Sequence, residues 1–355
     1  MDILSLIISF IQWLFKPKQI YNYIFSLHKK RNCKQIKQVL KDSLLVNNDS
    51  SLDIDKFVTR NHYVYFPVVP KANLSIIHLT FINKIYTLNK IGLKVLIFVF
   101  DEYYMRTIKS SRDVANVDIG NFIDQLKNKG IRKTDILLES QVNRNKALAK
   151  RILQRVLDLS SMISLRDMLD IKNKTASYIR NNDFYIKFQK ILFNMAYASV
   201  FKKIGFVLCG EDEIYMWQKF IDIENKRDTS SFSSRIVILS IKKMKNTKGN
   251  ITSIWDEKNL STNTSKDIIR KGIEENCSDI SLISKECGIF YLLDNVYFSN
   301  YNSIEINSNN NSGFNFKDID SLIEYFIKCK EDNENLDEAI ESLTDVVYNI
   351  LNQKI

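Results

Sequence analysis

Residues 70–79 read Pro-Lys-Ala-Asn-Leu-Ser-Ile-Ile-His-Leu. The stretch before them, Tyr63 to Val69, is apolar and β-prone. The stretch after them, Ile76 to Lys90, keeps helical spacing through Ile77, Phe81, Ile85 and Leu88. The ten residues are therefore a strand-to-helix junction, where backbone N–H groups and the helix dipole favour a phosphate. The alternation continues downstream. Lys94 to Phe100 is an apolar, β-branched run suited to a buried parallel strand. Asn116 to Lys129 has helical spacing closed by Gly130, a C-cap residue type. Thr134 to Glu139 supplies a third strand. Residues 141–200 read as mostly helical, with Arg144, Lys146, Lys150, Arg151 and Arg155 early in the stretch. Phe206 to Cys209 and Ile236 to Ile241 are two more short strands, with a helix beginning near Glu213. Strand alternating with helix predicts an α/β, doubly wound (Rossmann-like) parallel sheet.

About 165 residues beyond His78 the chain reads Lys243-Met244-Lys245-Asn246-Thr247-Lys248-Gly249-Asn250. This pair of segments resembles the two signatures of class I aminoacyl-tRNA synthetases. There a strand runs into Pro-(Ser/Thr)-Gly-x-Leu-His-Ile-Gly-His-Leu, and a later loop reads Lys-Met-Ser-Lys-Ser-Lys-Gly-Asn. Pro70, Leu74, Ile76, His78 and Leu79 match the first; Lys243, Met244, Lys248, Gly249 and Asn250 match the second. Three positions are rewritten: Ser75 stands for the first His, Ile77 for the Gly, and Asn246 for the second Lys. Between the two signatures, Gly210-Glu211-Asp212-Glu213 resembles the Gly-x-Asp-Gln segment of the tyrosyl/tryptophanyl branch, with Glu213 for Gln. Phe100-Asp101-Glu102-Tyr103-Tyr104, Ile123 to Ser140, Phe188 to Lys203, Asn250 to Ile254 and Ser265 to Ile273 resemble the archaeal/eukaryotic form of that branch. The resemblance covers about residues 60–275 as motifs.

It implies a chemistry: attack of an amino-acid carboxylate on the α-phosphorus of ATP, with Mg²⁺. The developing pentacovalent phosphate needs cationic and hydrogen-bonding groups around it. By resemblance the catalytic set is His78, Lys243, Lys245 and Lys248. The nucleotide-binding set is Ser75, Ile77, Gly210, Asp212 and Met244, and the aromatic amino acid falls to Tyr65, Glu211 and Glu213. The three rewritten positions bear on rate. Loss of one transition-state donor costs about 3–4 kcal/mol, and a side chain at Ile77 meets the adenine face. ATP-dependent activation is therefore expected to be weak or absent. The alternatives are a non-adenylating protein that binds tRNA or an aminoacyl group, and a basic surface-binding protein. Each residue also has a plainer reading. His78 alone suits a hydrogen-bonded core histidine, and Lys243 to Lys248 alone suits a solvated loop. Glu211, Asp212 and Glu213 suit the N-terminus of the following helix without any ligand.

Composition frames these readings. The 355 residues are enough for about two domains. A formal net charge of +10 favours a polyanionic partner; tRNA, not DNA, is the one the resemblance implies, and a homodimer is the assembly. Only nine glycines are present, and none falls in residues 61–91. The five cysteines, Cys33, Cys209, Cys277, Cys287 and Cys329, are odd in number and include no C-x-x-C pair, which argues against a zinc ribbon or disulfide framework and for a reducing, cytoplasmic compartment; no metal site is expected. Leu4 to Phe15 is apolar, yet twelve helical residues span only about 18 Å, short of a bilayer core. A basic stretch follows it, including Lys29, Lys30 and Arg31. A helix docked on the protein's own core is favoured over one lying on a membrane. The expected division is a helical N-terminal extension at 1–55, a Rossmann-like synthetase-type domain at 56–260 and a helical domain at 261–355. The Asn/Ser-rich stretch 302–312 reads as a surface loop.

Overall fold

The apolar run at Tyr63–Val68 forms strand β1, and its side chains alternate between two cores. Val64, Phe66 and Val68 enter one, whereas Tyr65 enters the other. A strand buried on both faces is what the near-continuous apolar lettering of a parallel sheet requires. The computed structural model describes residues 63–90, 93–107, 111–175, 184–201, 204–226, 236–241, 244–245, 260–306, 313–332 and 334–352. The expected N-terminal extension at 1–55 lies outside the described residues.

After β1 come α1 (Ile76–Lys90), β2 (Lys94–Val99), α2 (Asp101–Thr107), α3 (Arg112–Asn128) and β3 (Ile136–Leu138). The helices α4 (Glu139–Arg144), α5 (Lys146–Met162), α6 (Leu165–Thr175) and α7 (Phe184–Val200) then lead to β4 (Ile204–Gly210), α8 (Ile214–Lys226) and β5 (Val237–Ile241). The five strands lie in the order β3-β2-β1-β4-β5, every neighbouring pair parallel. β1 pairs residue for residue with β2 from Tyr63↔Lys94 to Val68↔Val99. The order reverses between β1 and β4, so the crevice at their carboxyl ends is where doubly wound sheets take ligands. The expected α/β sheet is thus present. The third strand is shorter than Thr134–Glu139, because Lys133–Asp135 turns as a 3₁₀ segment first. Gly130 closes α3 at φ 89°, its N–H on Lys127 O, and Ile131 N–H reaches Leu126 O. A left-handed residue there frees the chain to turn into β3.

The C-terminal segment comprises α9 (Lys266–Asn276), α10 (Gly288–Leu292), a π-turn (Leu293–Tyr297), β6 (Ile304–Ile306), β7 (Phe314–Phe316), α11 (Ile319–Asp332) and α12 (Leu336–Asn352). It is not purely helical: β6 and β7 pair antiparallel, Ile304↔Phe316 to Ile306↔Phe314. Ile304 and Ile306 are buried and Glu305 between them is exposed, a two-residue period that the Asn/Ser-rich composition of 302–312 obscured. Residues 307–312 lie outside the described residues. The segment shares one hydrophobic core with the sheet face that carries Val64, Phe66 and Val68.

Helix α1 lies inside that core. Ten of its fifteen residues are buried, including the polar His78, Thr80 and Asn83. Asn83 donates to Asn295 O (2.7 Å) and Ser299 Oγ (2.6 Å) and accepts from Asn300 Nδ2 (2.8 Å). A second lock comes from Lys129, buried after α3. Its ammonium donates to Ile350 O (3.1 Å) and Leu351 O (3.2 Å) in the last turn of α12. Burial lowers its pKa to about 8, and the carbonyl end of a helix dipole favours the charged form. Four cysteines are described, Cys209, Cys277, Cys287 and Cys329, all free and buried. Among the described residues no helix is long and apolar enough to cross a membrane.

Gly288, which opens α10, has φ 40°, and a Cβ there would lie 2.4 Å from Asn276 Oδ1. Gly120, inside α3, has nothing within 4 Å of the equivalent point. Gly288→Ala is expected to lower stability by about 2–4 kcal/mol through strain and collision. Gly120→Ala is expected to raise it by about 0.5–1 kcal/mol through helix propensity. Urea midpoints of the two variants against the parent protein check both signs.

Candidate functional site

The strand-to-helix turn at the end of β1 is built from hydrogen bonds made within the chain. Ser75 occupies the N-cap position of α1, its carbonyl accepting from Leu79 N–H. His78, three residues on, reaches back: its Nδ1 accepts from Ser75 N–H (3.1 Å) and meets Ser75 Oγ at 2.9 Å. This is one half of a capping box, with imidazole in the place of a glutamate. Since a backbone N–H is always a donor, Nδ1 must be the unprotonated nitrogen, and the neutral ring carries its proton on Nε2. Nε2 is buried with no partner among the described residues. The ring stands edge-to-face on Phe122 of α3, centroids 5.6 Å apart. Burial, assisted by Lys71, lowers the His78 pKa to about 3. The imidazole is neutral at physiological pH and supplies hydrogen bonds, not charge.

The neighbouring donors are occupied as well. Leu74 N–H points at both Gln125 Oε1 (3.1 Å) and Thr262 Oγ1 (3.2 Å), and those two side chains bond each other. Gln125 Nε2 donates to Ala72 O at 2.7 Å. Ile76 N–H donates to Leu260 O and Thr262 N–H to Leu74 O, so Ser75 and Ser261 form an antiparallel bridge. Ile77 is buried at 9% exposure in the core shared by the sheet and the C-terminal segment, and so is Met244 at 2%.

Lys243 and Lys248 lie outside the described residues. Lys245 is described. Its N–H donates to Glu286 O (2.7 Å), its carbonyl accepts from Gly288 N–H (2.8 Å), and it bridges in parallel with Cys287. Its ammonium pairs with Glu286 at 2.7 Å, both side chains well exposed. Gly210 ends β4, and Glu211–Glu213 make a 3₁₀ turn into α8. The side chain of Asp212 lies outside the described residues. Ser75, Ile77, His78 and Met244 therefore share the α1 side of the sheet.

Tyr65 lies on the other side. Its ring is wholly buried, 5.9 Å from Phe98 and edge-to-face on Trp217 at 6.3 Å. Its hydroxyl, Asn194 Oδ1 and Trp217 Nε1 are buried without a partner among the described residues. Close by, Glu139 accepts from Tyr103 N–H (2.9 Å) and Tyr197 OH (3.2 Å). Burial raises its pKa to about 7 against the opposing Tyr103 bond. Sequence reasoning missed Gln125, Thr262, Glu139, Asn194 and Trp217. Gln125 and Thr262 lie 51 and 188 residues from Leu74, which no local spacing reveals.

The His78 shift makes a stability statement with a definite sign. The folded pKa of about 3 lies below the ordinary 6.5, so the unfolded chain binds more protons between them. The contribution is complete above about pH 6.5 and is lost as pH falls toward 3. Glu139 works in the opposite sense, losing stability as pH rises through about 7, and is common to both proteins below. His78→Gln keeps an acceptor for Ser75 N–H and cannot titrate. Between pH 6.5 and 4.5 the parent is expected to lose about 2–3 kcal/mol more than this variant in urea unfolding.

No sequence-family model matches the chain, and no curated protein matches it. Solved structures do match. The tyrosyl-tRNA synthetase of Archaeoglobus fulgidus, complexed with L-tyrosine, superposes at TM-score 0.69 with 11% identity, over 89% of this chain and 97% of that one. The Leishmania major tyrosyl-tRNA synthetase complexed with tyrosinol gives 0.65 at 13% identity over 88% of this chain and 48% of the other. The tryptophanyl-tRNA synthetase of Aeropyrum pernix K1 gives 0.54 at 13% over 84% of each. With the parallel sheet order and the strand-to-helix turn in place, this chain carries the fold of the class I tyrosyl- and tryptophanyl-tRNA synthetases.

Proposed function

We propose that the chain is a divergent synthetase-fold protein of the tyrosyl/tryptophanyl branch that binds tRNA and has lost efficient ATP-dependent activation of an amino acid. The observation that carries the reading is that three backbone donors at the turn into α1 are already engaged. Leu74, Ser75 and Ile76 give their N–H groups to Gln125, Thr262, His78 and Leu260. A nucleotide phosphate at a helix N-terminus needs such donors free. Ile77 adds a buried side chain where adenine needs bare backbone, and His78 is neutral. These residues do not fit ATP, so no catalytic step through ATP and Mg²⁺ is assigned to them. Removing one transition-state donor costs about 10²–10³ in rate; Ser75 and Asn246 replace two. Pyrophosphate exchange with tyrosine or tryptophan is expected at least about 10³-fold below an intact synthetase, and robust exchange by the protein as it stands would sink the proposal.

A second reading has its own support. Buried polar atoms are nearly always paired, yet among the described residues Tyr65 OH and Trp217 Nε1, in one core cluster, and Asn194 Oδ1 on α7 have no partner. They favour retained binding of an aromatic amino acid or aminoacyl group without its activation, with Tyr65 contacting it and Glu211 and Glu213 at the crevice edge. Calorimetric titration with tyrosine and tryptophan is expected to show binding that Tyr65→Phe weakens by about tenfold; no heat with either amino acid counts against it. By resemblance the protein is a cytoplasmic homodimer. Leu153 and Leu157, 54% and 55% exposed and one turn apart on α5, offer an apolar strip for that contact. A monomeric mass in sedimentation at micromolar concentration would exclude the dimer.

A further inference from the structure

Helices α2 and α4 start at the carboxyl ends of the neighbouring strands β2 and β3, and each caps the other. Asp101, which opens α2, accepts from Ser140 N–H of α4 (3.0 Å), and Glu139, which opens α4, accepts from Tyr103 N–H of α2 (2.9 Å). Both carboxyls are buried. An acid at the start of each helix suits both dipoles. The reciprocal cap accounts for Asp101 and for Glu139 Oε2, and it leaves Glu139 Oε1 without a purpose.

That oxygen faces Tyr197 of α7. The Tyr197 hydroxyl stands 3.2 Å from Glu139 Oε1 and 3.3 Å from Asn143 Oδ1, almost midway between two acceptors. It has one proton to give. Burial first, and then Glu139, raise the Tyr197 pKa, so the hydroxyl keeps that proton. The orientation of Asn143 is fixed from its other end. Its Nδ2 donates to Glu102 at 2.7 Å; an ionised carboxylate only accepts, so Oδ1 is the atom turned to Tyr197. Glu102 in turn pairs with Arg106 at 2.9 Å.

The state of Glu139 decides where the Tyr197 proton goes. An ionised Glu139 takes it, and Asn143 Oδ1 loses Tyr197 as a donor. A protonated Glu139 donates from Oε1 to Tyr197 Oη, Tyr197 donates to Asn143, and Asn143 donates to Glu102. Every bond then runs the same way, from the buried carboxyl to the Glu102–Arg106 pair, and each strengthens the next. Charged neighbours act on this choice from several elements. Burial is the largest influence on Glu139 and favours the neutral form. From α2, Glu102 and Asp101 also favour it, whereas the Tyr103 N–H and Arg106 favour ionisation. From α7, Lys190 lies over the rings of Phe100 and Tyr103, at 5.8 and 5.7 Å. From α5, Arg155 is engaged with Ser199 (3.1 Å) and Asp158 (3.9 Å). The balance holds the Glu139 pKa at about 7, where both patterns are populated.

We infer that Glu139, Tyr197 and Asn143 form a proton-operated latch between α4 and α7, closed when the carboxyl is protonated and released when it ionises. The folded pKa lies above the ordinary 4.5, so the contribution of the latch to stability is complete below about pH 4.5 and is lost as pH rises through about 7. The test follows the proton and the helices separately in the full chain. In pH-difference infrared spectra, the C=O band of a protonated buried carboxyl vanishes with a midpoint of about 7, and Glu139→Gln lacks the band. Glutamine copies the closed pattern, its amide donating to Tyr197 and accepting from Tyr103 N–H. Asn143→Ala removes the acceptor that the closed latch needs and lowers the midpoint by at least about half a unit, a threefold change in proton affinity. In amide hydrogen exchange at pH 8.5, α4 opens at least about fivefold more readily in the parent than in Glu139→Gln, and at pH 5.5 the two agree. A parent without the band, or a band that survives Glu139→Gln, overturns the inference. So does an Asn143→Ala midpoint equal to or above the parent's, which makes Glu139 a buried carboxyl that does not redirect the tyrosine. Where Asn143→Ala does not fold, the exchange comparison decides: equal α4 protection in the parent and Glu139→Gln at pH 8.5 overturns the latch, and faster exchange in the parent upholds it.

Discussion

Leu74 N–H stands between Gln125 of α3 and Thr262 of the C-terminal segment, and the two strands of chain that meet there exchange backbone bonds at Ile76–Leu260 and Thr262–Leu74. Most of the molecule's arrangement follows from that small antiparallel bridge. It joins the first crossover of the sheet to the chain that leaves β5 and enters α9. It also fixes the entry to α1, a helix so enclosed that its polar residues must all find partners inside the protein. His78 does so through Ser75, and Asn83 through three residues of the C-terminal segment. Unmade hydrogen bonds in such a place are costly.

The fold could be read from the sequence because each of its signals is local. Lys94–Val99 is apolar enough to be buried on both faces, Gly130 marks the end of α3, and the strand–helix alternation settles the crossover pattern. The limits are equally physical. Ile304 and Ile306 signal a strand only through a two-residue period over three residues, too short to outweigh the Asn and Ser around them. The 3₁₀ turn at Lys133–Asp135 shortens β3 without any lettering that announces it. At the site, the identity of His78 was legible and its role was not. Whether an imidazole is a charged catalyst or a cap depends on Ser75, on Phe122 and on how completely the C-terminal helices cover α1. Gln125 and Thr262 carry no motif at all; only the folded chain brings them to Leu74.

The two faces of the sheet differ in how well their polar atoms are matched. On the α1 side Leu74, Ser75 and Ile76 N–H are paired within the chain, and His78 Nε2 is buried without a partner among the described residues. On the Tyr65 side, Tyr65, Asn194 of α7 and Trp217 keep three buried polar atoms unpartnered among the described residues, and burial raises the pKa of the Glu139 carboxyl to about 7. The two faces share few side chains, because a parallel sheet buried on both sides sends successive residues of a strand into different cores. The alternation of Val64, Tyr65 and Phe66 along β1 is the element that separates them.

Lys129 ties the first half of the sheet to the last turn of α12, donating across 221 and 222 residues to Ile350 and Leu351. On a ribosome, domains take shape as they emerge, from the N-terminus onward. Here the lysine that ends the first large crossover is made long before its acceptors exist. Until α12 has formed, that ammonium lacks the two carbonyls of Ile350 and Leu351. The contact that joins the α/β half to α12 therefore forms only after a further 221 residues have been made.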